Sequence, residues 1–310
     1  MKDIYLKFCK KTQTSLLKRL TLDKNHFMWY NNFTMKRMKD IAEELGVSIA
    51  TVSYVYNNRW QEKRINKDIA EKIMKKLKEE DYHPNLISIQ LMTQKTSSAG
   101  IILGDLSRIF NLNILCGIEK VLSNKGYVSI VASSNLGRKE KEYLKTMQSR
   151  KADGIIFSPQ TNEKETIIFL KNFCKKTPLV LVDNYIPGLK TSFVVSDNYY
   201  GAYQAVKYII KKGRKKIAYA GANKGLTALK DRFTGYIDAL KDAGISPDSS
   251  LIYKTVDGLF PPLALKEMFS KAHPDAMFVE SLLYFKEGFR LFYEEGIKIP
   301  DDVLLTGFDP

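Results

Sequence analysis

Histidine and cysteine are scarce in this 310-residue sequence, three of each, and their scarcity removes several kinds of chemistry. Cys9, Cys116 and Cys174 are odd in number and far apart, which suits neither a disulfide framework nor a CxxC metal site; reduced thiols are expected. His26, His83 and His273 form no cluster, and no Walker loop, GxSxG or HExxH motif occurs. The sequence therefore assigns no catalytic residue, no metal ligand and no cofactor. No apolar run approaches the roughly 18 to 20 residues of a membrane span. The basic N-terminus MKDIYLKFCKKTQTSLLKRL has no unbroken apolar segment of signal-peptide type. A cytoplasmic protein without a membrane partner is expected.

What is abundant is positive charge, and it is unevenly spread. Of the net +15, residues 1–98 hold 19 Lys and Arg against 11 Asp and Glu, hence +8, and the remaining 212 residues hold 30 against 23, hence +7. Charge per residue is thus more than twofold higher at the N-terminal end, the footprint of a phosphate-binding head on a near-ordinary body. A generally lysine-rich composition accounts for part of the body's excess. Length and a hydrophobic content of 44% suit two or three globular domains.

KRMKDIAEELGVSIATVSYVYNN, residues 36–58, carries the sharpest pattern. Met38, Ile41, Ala42 and Leu45 recur at i, i+3, i+4 and i+7, giving a first helix one apolar face. Gly46 stops it, Val47 plugs the corner, and Ser48 is placed to cap a second helix. Val52 and Val55 point that helix inward, leaving Ile49, Ala50, Ser53 and Tyr54 on or near its outer face, where a recognition helix meets base edges. Two short helices joined by a tight turn make a helix-turn-helix. A loop with Arg59, Lys63 and Arg64 available for phosphates follows, and Asn66 caps a third helix with Ile69, Ala70, Ile73 and Leu77 as its buried stripe. Lys72, Lys75, Lys76 and Lys78 fall mostly on its solvated side.

Residues 1–34 match nothing: a small extra helix and a start codon placed too early both fit, and the second is preferred because Met35 begins the ordered reading. Pro84 closes the third helix and Asn85 starts a short segment, so residues 83–98 form a hinge or linker. From residue 99 strands and helices alternate. Strands are expected over 100–105, 128–134, 153–159, 178–183, 216–221, 275–281 and 303–309, and helices over 113–127, 139–151, 165–176, 202–213, 229–245 and 285–296. That cadence means parallel sheets covered on both faces, with ligands bound beyond the carboxyl ends of the strands. IILGD-helix-NKGY and IAYAG-helix-DAGI repeat one another, which predicts two similar α/β lobes, 99–195 and 196–310, with a cleft between them.

DIAEELGVSIATVSYVYNN, YHPNLISIQL, KEYLKTMQSRKADGIIFSP, VSDN with GAYQAV, and IPDDVLLTGFD occur in the order of the LacI/GalR family of bacterial transcription regulators, which the chain resembles from about Met35 to Pro310. The resemblance implies an all-α helix-turn-helix head of lambda-repressor type, residues 35–82, and a two-lobed body of periplasmic-binding-protein type with parallel sheets, residues 99–310. It further implies a homodimeric repressor on a near-palindromic double-stranded DNA operator, under control of a small-molecule effector, a sugar or sugar acid. A regulator controlled by a protein corepressor, and a cytoplasmic sugar-binding protein without operator binding, are the alternatives. Within the head, Thr51 and Ser53 match positions of backbone contact and packing, while Ile49, Ala50 and Tyr54 match base-facing positions; Ser48 and Asn57 complete the DNA-binding set. Tyr54 stands where the family usually has Arg, so a bidentate guanine contact is lost and thymine methyls become the expected contact. Leu91 matches a hinge leucine that wedges into the minor groove and kinks the duplex; packing of the linker is its competing role. Ile89 and Met92 replace residues that are often basic.

In the cleft the resemblance assigns effector contacts to Asp105, Phe110, Asp183, Arg232 and Asp309. An Arg fork with carboxylates suits sugar hydroxyls or an acid group, and a structural salt bridge or cap is the competing role for each. Arg108 and Ile109 replace a usual Asn-Pro, and Glu280, Ser281 and Leu282 replace a usual Asn-Asp. Pro310 falls inside a motif that the family follows with further elements, so a C-terminally incomplete body is expected.

Overall fold

The computed structural model describes residues 36–84, 90, 93–134, 139–223, 225–255 and 262–308. It divides into two compact units, 1–92 and 93–310, with the break inside the expected linker. The expectations for residues 1–34, for Leu91 and for Asp309 lie outside the described residues.

The first unit holds helices α1 (Met38–Glu44), α2 (Ile49–Tyr56) and α3 (Lys67–Glu79). Gly46 takes a φ of +63°, a left-handed value that glycine adopts without a Cβ penalty, and this lets the chain turn between α1 and α2. Ser48 Oγ accepts from the Thr51 amide at 3.1 Å, and Asn66 Oδ1 accepts from the Asp68 amide at 2.7 Å, so both caps form as expected. Ile41, Ala42, Val52, Val55, Ala70, Ile73 and Leu77 make the core, with Met38, Leu45 and Val47 packed against it. Ile69 does not join them. It is 40% exposed, because it lies at the edge of the helical arc centred on Ala70, Ile73 and Leu77. Lys36 and Lys76 each pair with both Glu44 and Glu80, closing the ends of α1 and α3 with a ring of alternating charge.

The second unit has two lobes. In the first, β1 (Ser98–Leu103), β2 (Val128–Ser133), β3 (Gly154–Phe157), β4 (Leu179–Val182) and β5 (Ser192–Val194) form a parallel sheet in the order β2-β1-β3-β4-β5. Helices α4 (Ile109–Asn124), α5 (Glu140–Ser149) and α6 (Lys164–Phe173) connect its strands. Ile102, Ile155 and Phe157 pack with Leu144, Met147, Leu170 and Phe173 of α5 and α6.

In the second lobe, β6 (Ile217–Ala222), β7 (Ile252–Thr255), β8 (Ala276–Val279) and β9 (Leu304–Gly307) form a parallel sheet in the order β7-β6-β8-β9. Helices α7 (Asn198–Lys211) and α8 (Thr227–Asp242) cover one face, and α9 (Pro262–Ala272) and α10 (Leu282–Glu294) the other. Strand alternation decides the sides. Ile217, Tyr219, Ala276 and Phe278 meet α7 and α8, whereas Ala218, Ala220, Met277 and Val279 meet α9 and α10. Strands β5 and β7 and helix α9 were not expected from the sequence. SFV and IYKT are too short and too mixed in polarity to give a run, and all three residues of β5 are exposed at a sheet edge.

Helices α7 and α8 touch at backbone distance. A Cβ on Gly235 would lie 2.4 Å from the Tyr199 carbonyl and 2.9 Å from the Tyr203 amide nitrogen, whereas one on Gly117 in α4 meets nothing within 4 Å. Gly235→Ala is therefore expected to destabilise the body by about 1–3 kcal/mol through overpacking. Gly117→Ala, in an open helical position, is expected to stabilise it by about 0.5–1 kcal/mol. Urea denaturation of both variants checks the pair, and equal effects of one sign would contradict the packing described.

Candidate functional site

Two candidate sites emerge, one in each unit. In the head, Ser48, Ile49 and Ala50 are exposed at the start of α2, and Thr51, Ser53 and Tyr54 are half-buried. Thr51 Oγ1 lies 2.8 Å from Ser48 Oγ, and Asn57 Nδ2 donates to the Ser53 carbonyl at 2.8 Å. The Tyr54 ring has Arg59 Cζ at 6.0 Å and Lys63 Nζ at 5.2 Å from its centroid. All seven head residues singled out in the sequence thus lie on α2 or at its ends, and they give it an outer surface flanked by cations.

In the body, the carboxyl ends of the parallel strands of both lobes converge on a cavity of about 340 Å³. Asp105, Phe110 and Asp183 line it from the first lobe, and Arg232 lines it from the second, so the structure brings together the described cleft residues that the sequence singled out. Asp105 Oδ1 accepts from the Ser107 hydroxyl at 2.7 Å and amide at 2.9 Å, and these bonds hold its carboxyl below the usual range. It serves as a turn cap as well as a cavity wall. Asp183 has a φ of +67°, a left-handed value that Asp tolerates better than most side chains, and its carboxylate accepts from Asn184 Nδ2 at 2.9 Å.

Arg232 is 5% exposed and firmly placed. Its Nε donates to Asn198 Oδ1 at 2.8 Å, its Nη1 donates to the Glu280 carbonyl at 2.6 Å, and its Cζ lies 3.8 Å from the centre of the Phe308 ring. The N-terminal turn of the same helix, α8, binds the first lobe. Thr227 Oγ1 accepts from the Tyr185 amide at 3.0 Å and lies 3.1 Å from the Tyr185 carbonyl, which accepts from it, while the Ala228 amide donates to Asn184 Oδ1 at 3.2 Å.

Glu280 is fully buried on the cavity wall, where sequence reasoning saw only a departure from a pattern. Its carboxyl accepts from the Tyr219 hydroxyl and from the Ala222 amide. It lies so close over Gly221 that a Cβ there would stand 2.3 Å from it. Burial pushes Glu280 up to about 7, against the pull of the Tyr219 and Ala222 bonds and of the Arg232 and Lys254 charges. The first lobe holds a counterpart. Glu140 is 1% exposed, accepts from the Gln160 amide at 2.6 Å, and is also pushed by burial to about 7. Gln160, Asn184, Tyr284 and Lys286, which also line the cavity, escaped sequence reasoning. For Gln160 and Asn184 the signal was available: both follow the end of a parallel strand closely.

Among the described residues no His, Cys, Asp and Glu cluster of metal-binding type occurs, and no helix is long and apolar enough to cross a membrane.

Residues 96–306 match the family model described as periplasmic binding proteins and sugar binding domain of LacI family, and residues 37–85 match bacterial regulatory proteins, lacI family. The HTH-type transcriptional regulator RegA of Clostridium saccharobutylicum is 37% identical over 70% of the chain, and the matched part spans 64% of that relative's length. RegA of Clostridium acetobutylicum is 34% identical over 88% of the chain and 82% of its own length. A solved structure of the Lac repressor dimer bound to operator and the anti-inducer ONPF, 19% identical, superposes with a TM-score of 0.76 over 88% of this chain and 82% of that one, a likeness of fold.

The two buried carboxyls make stability depend on pH in a defined direction. Each keeps its proton in the folded state up to about pH 7 but would lose it near the ordinary 4.5 when unfolded. Between those values the folded chain binds more protons, so stability falls as pH rises through this window and the cost of the buried charges is complete above it. The melting temperature of the body is expected to be higher at pH 5.5 than at pH 7.5. Glu280→Gln, which mimics the protonated acid by giving its oxygen to Ala222 and its amide to the Tyr219 oxygen, should flatten the dependence, and adding Glu140→Gln should flatten it further. A pH profile of the double variant as steep as that of the parent would refute the assignment.

Proposed function

Because the chain belongs to the LacI/GalR family of transcriptional regulators, DNA-binding proteins with a sugar-binding domain, we propose that it is a repressor that grips a near-palindromic operator as a dimer and is controlled by a sugar-like effector in the cleft of its body. The observation that carries this reading is the joint presence, in one chain, of a helix-turn-helix with an exposed second helix and a two-lobed body with a mixed polar and apolar cavity. The first can enter a major groove; the second has the size and lining of a small-ligand site.

In this reading α2 supplies base contacts through Ile49, Ala50 and Tyr54 and backbone contacts through Ser48, Thr51, Ser53 and Asn57. Arg232, its Nε and Nη1 held by Asn198 and the Glu280 carbonyl, brings the guanidinium charge to the cavity wall, and Asp105 and Asp183 bring carboxylates, a lining that suits the hydroxyls of a sugar or the acid group of a sugar acid. Phe110 supplies an apolar wall for a ring face. The bonds from Thr227 and Ala228 to the first lobe mark one arrangement of the lobes. An effector that prefers this arrangement, or another, shifts the balance between them by no more than its difference in affinity, and that difference is what couples cleft to operator.

Support for a dimer comes from apolar side chains left at the surface of the body. Ile109, Leu112 and Val121 of α4, Val128 and Val131 of the edge strand β2, and Phe289 and Tyr293 of α10 are all exposed. Of these, Leu112, Val121, Val128 and Val131 lie on the adjoining elements α4 and β2 and offer apolar surface that a second copy could cover. The location proposed is the cytoplasm, where DNA and effector are both accessible.

The experiment is a binding assay of the full chain on duplexes selected from a random library and on the DNA upstream of its own coding sequence. A palindrome-dependent complex is expected, weakening about tenfold or more as salt rises from 50 to 200 mM; salt-independent or absent binding would sink the proposal. Thermal-shift screening of sugars and sugar acids then identifies the effector. Arg232→Lys keeps the charge but loses the fork, so operator affinity should stay within about twofold while the effector concentration for half response rises about tenfold or more. An unchanged effector response would remove Arg232 from the binding set.

A further inference from the structure

We infer that the head selects its operator through the 5-methyl groups of thymines, read by an apolar patch of Ile49, Ala50 and the Tyr54 ring; the inference rests on the operator-binding reading above and names the base feature recognised. Ser48, Thr51, Ser53 and Asn57 each make a bond within the head, which ties them to the ends of α2 and suits them to phosphate contact rather than to base edges. Ser48 Oγ accepts the Thr51 amide at 3.1 Å and lies 2.8 Å from Thr51 Oγ1, so these two hydroxyls serve the helix cap. Asn57 Nδ2 donates to the Ser53 carbonyl at 2.8 Å and lies 3.5 Å from Ser53 Oγ, tying that pair to the helix end.

Outward over the first turns of α2 are Ile49, 48% exposed, with exposed Ala50 beside it and half-buried Tyr54 one turn further on, while exposed Tyr56 at the helix end packs against Tyr82. Neither Ile nor Ala has a hydrogen-bonding group, and a phenol has only one. Bidentate recognition of guanine or adenine is therefore out of their reach, whereas the C5 methyl of thymine is the apolar feature of the major groove and needs only contact. Arg59 and Lys63, near the Tyr54 ring at 6.0 and 5.2 Å, place positive charge at the border of the patch. The labour is divided: the cations hold phosphates and set register, and the apolar patch selects A·T pairs in the orientation that brings the methyl to the helix.

Replacing thymine by deoxyuridine removes the methyl and leaves every hydrogen-bonding group in place, and it requires no change to the protein. The full chain is titrated against its selected duplex and against copies carrying deoxyuridine at single thymine positions, placed symmetrically in the two half-sites. At one or two positions per half-site affinity should fall about fourfold for each methyl lost, hence about fifteenfold for a symmetric pair. Tyr54→Phe should keep that dependence, and Ile49→Ser should lose it at one position. If every uridine-substituted duplex binds within twofold of the parent, thymine-methyl readout is overturned while operator binding stands. If the unmodified duplex forms no salt-sensitive complex, the operator reading fails and this one fails with it.

Discussion

The contact of α8 with α7 at backbone distance is the constraint on which the body depends. Gly235 permits it, because any side chain there would strike the main chain of α7. With α8 held so close, Tyr236, Ala239 and Leu240 complete the core of the second lobe, and Arg232, three residues before the glycine, reaches the cavity with its guanidinium bonded to Asn198 of α7. The first turn of the same helix carries Thr227 and Ala228 to the first lobe. One helix thus fixes a core, a cleft side chain and an interlobe contact, so a shift of α8 moves all three together. Packed interiors respond to such shifts in discrete steps rather than by smooth deformation, which suits a two-state regulator.

The cleft also contains a cost that packing alone would not demand. Glu280 and Glu140, one in each lobe, each spend a carboxyl oxygen on the amide of a cavity-lining residue at or after a strand end, Ala222 and Gln160. Burial disfavours their charged forms. The bonds they make hold the edges of the cavity in place, and the Tyr219 hydroxyl can donate to an ionised Glu280 or accept from a neutral one. These bonds brace the cavity wall from both lobes. Glu280 is also the feature that separates this cavity from the pattern the sequence resembles, because it brings a carboxyl to the wall where an amide and a second carboxylate were expected.

Much of the head was legible in its sequence. The apolar spacing of α1, the Gly46 turn and the Ser48 and Asn66 caps are local devices, set by contacts within a few residues, and each formed where the pattern placed it. Ile69 was misread because a spacing rule does not say how wide the buried arc is, and the arc in α3 closes one residue short of it. In the body the long alternating runs gave strands and helices that neighbouring layers then confirmed. Short strands with mixed polarity, β5 and β7, carried too little local signal, since their pairing partners supply most of what makes them regular; α9 did carry a signal, because Leu265, Met268, Phe269 and Ala272 recur at helical spacing. Phe110, Asp105, Asp183 and Arg232 were singled out from separate stretches of the chain, and sheet topology put them around one cavity.

By itself the sequence determined the order of parts: a basic helix-turn-helix, a linker and an alternating α/β body, because hydrophobic period, turn residues and caps act over short distances. It determined as well which side chains α2 turns outward, since Ile49, Ala50, Ser53 and Tyr54 are simply what the chain places there. Tertiary structure alone decided the rest. That Glu280 is a buried acid shared between Tyr219 and Ala222 depends on β6 and β8 lying side by side. That Arg232 faces the cavity depends on a glycine one turn away and on a helix some thirty residues earlier. These are pairings between distant segments, and the free energy that selects them comes from burial and geometry that no local pattern encodes.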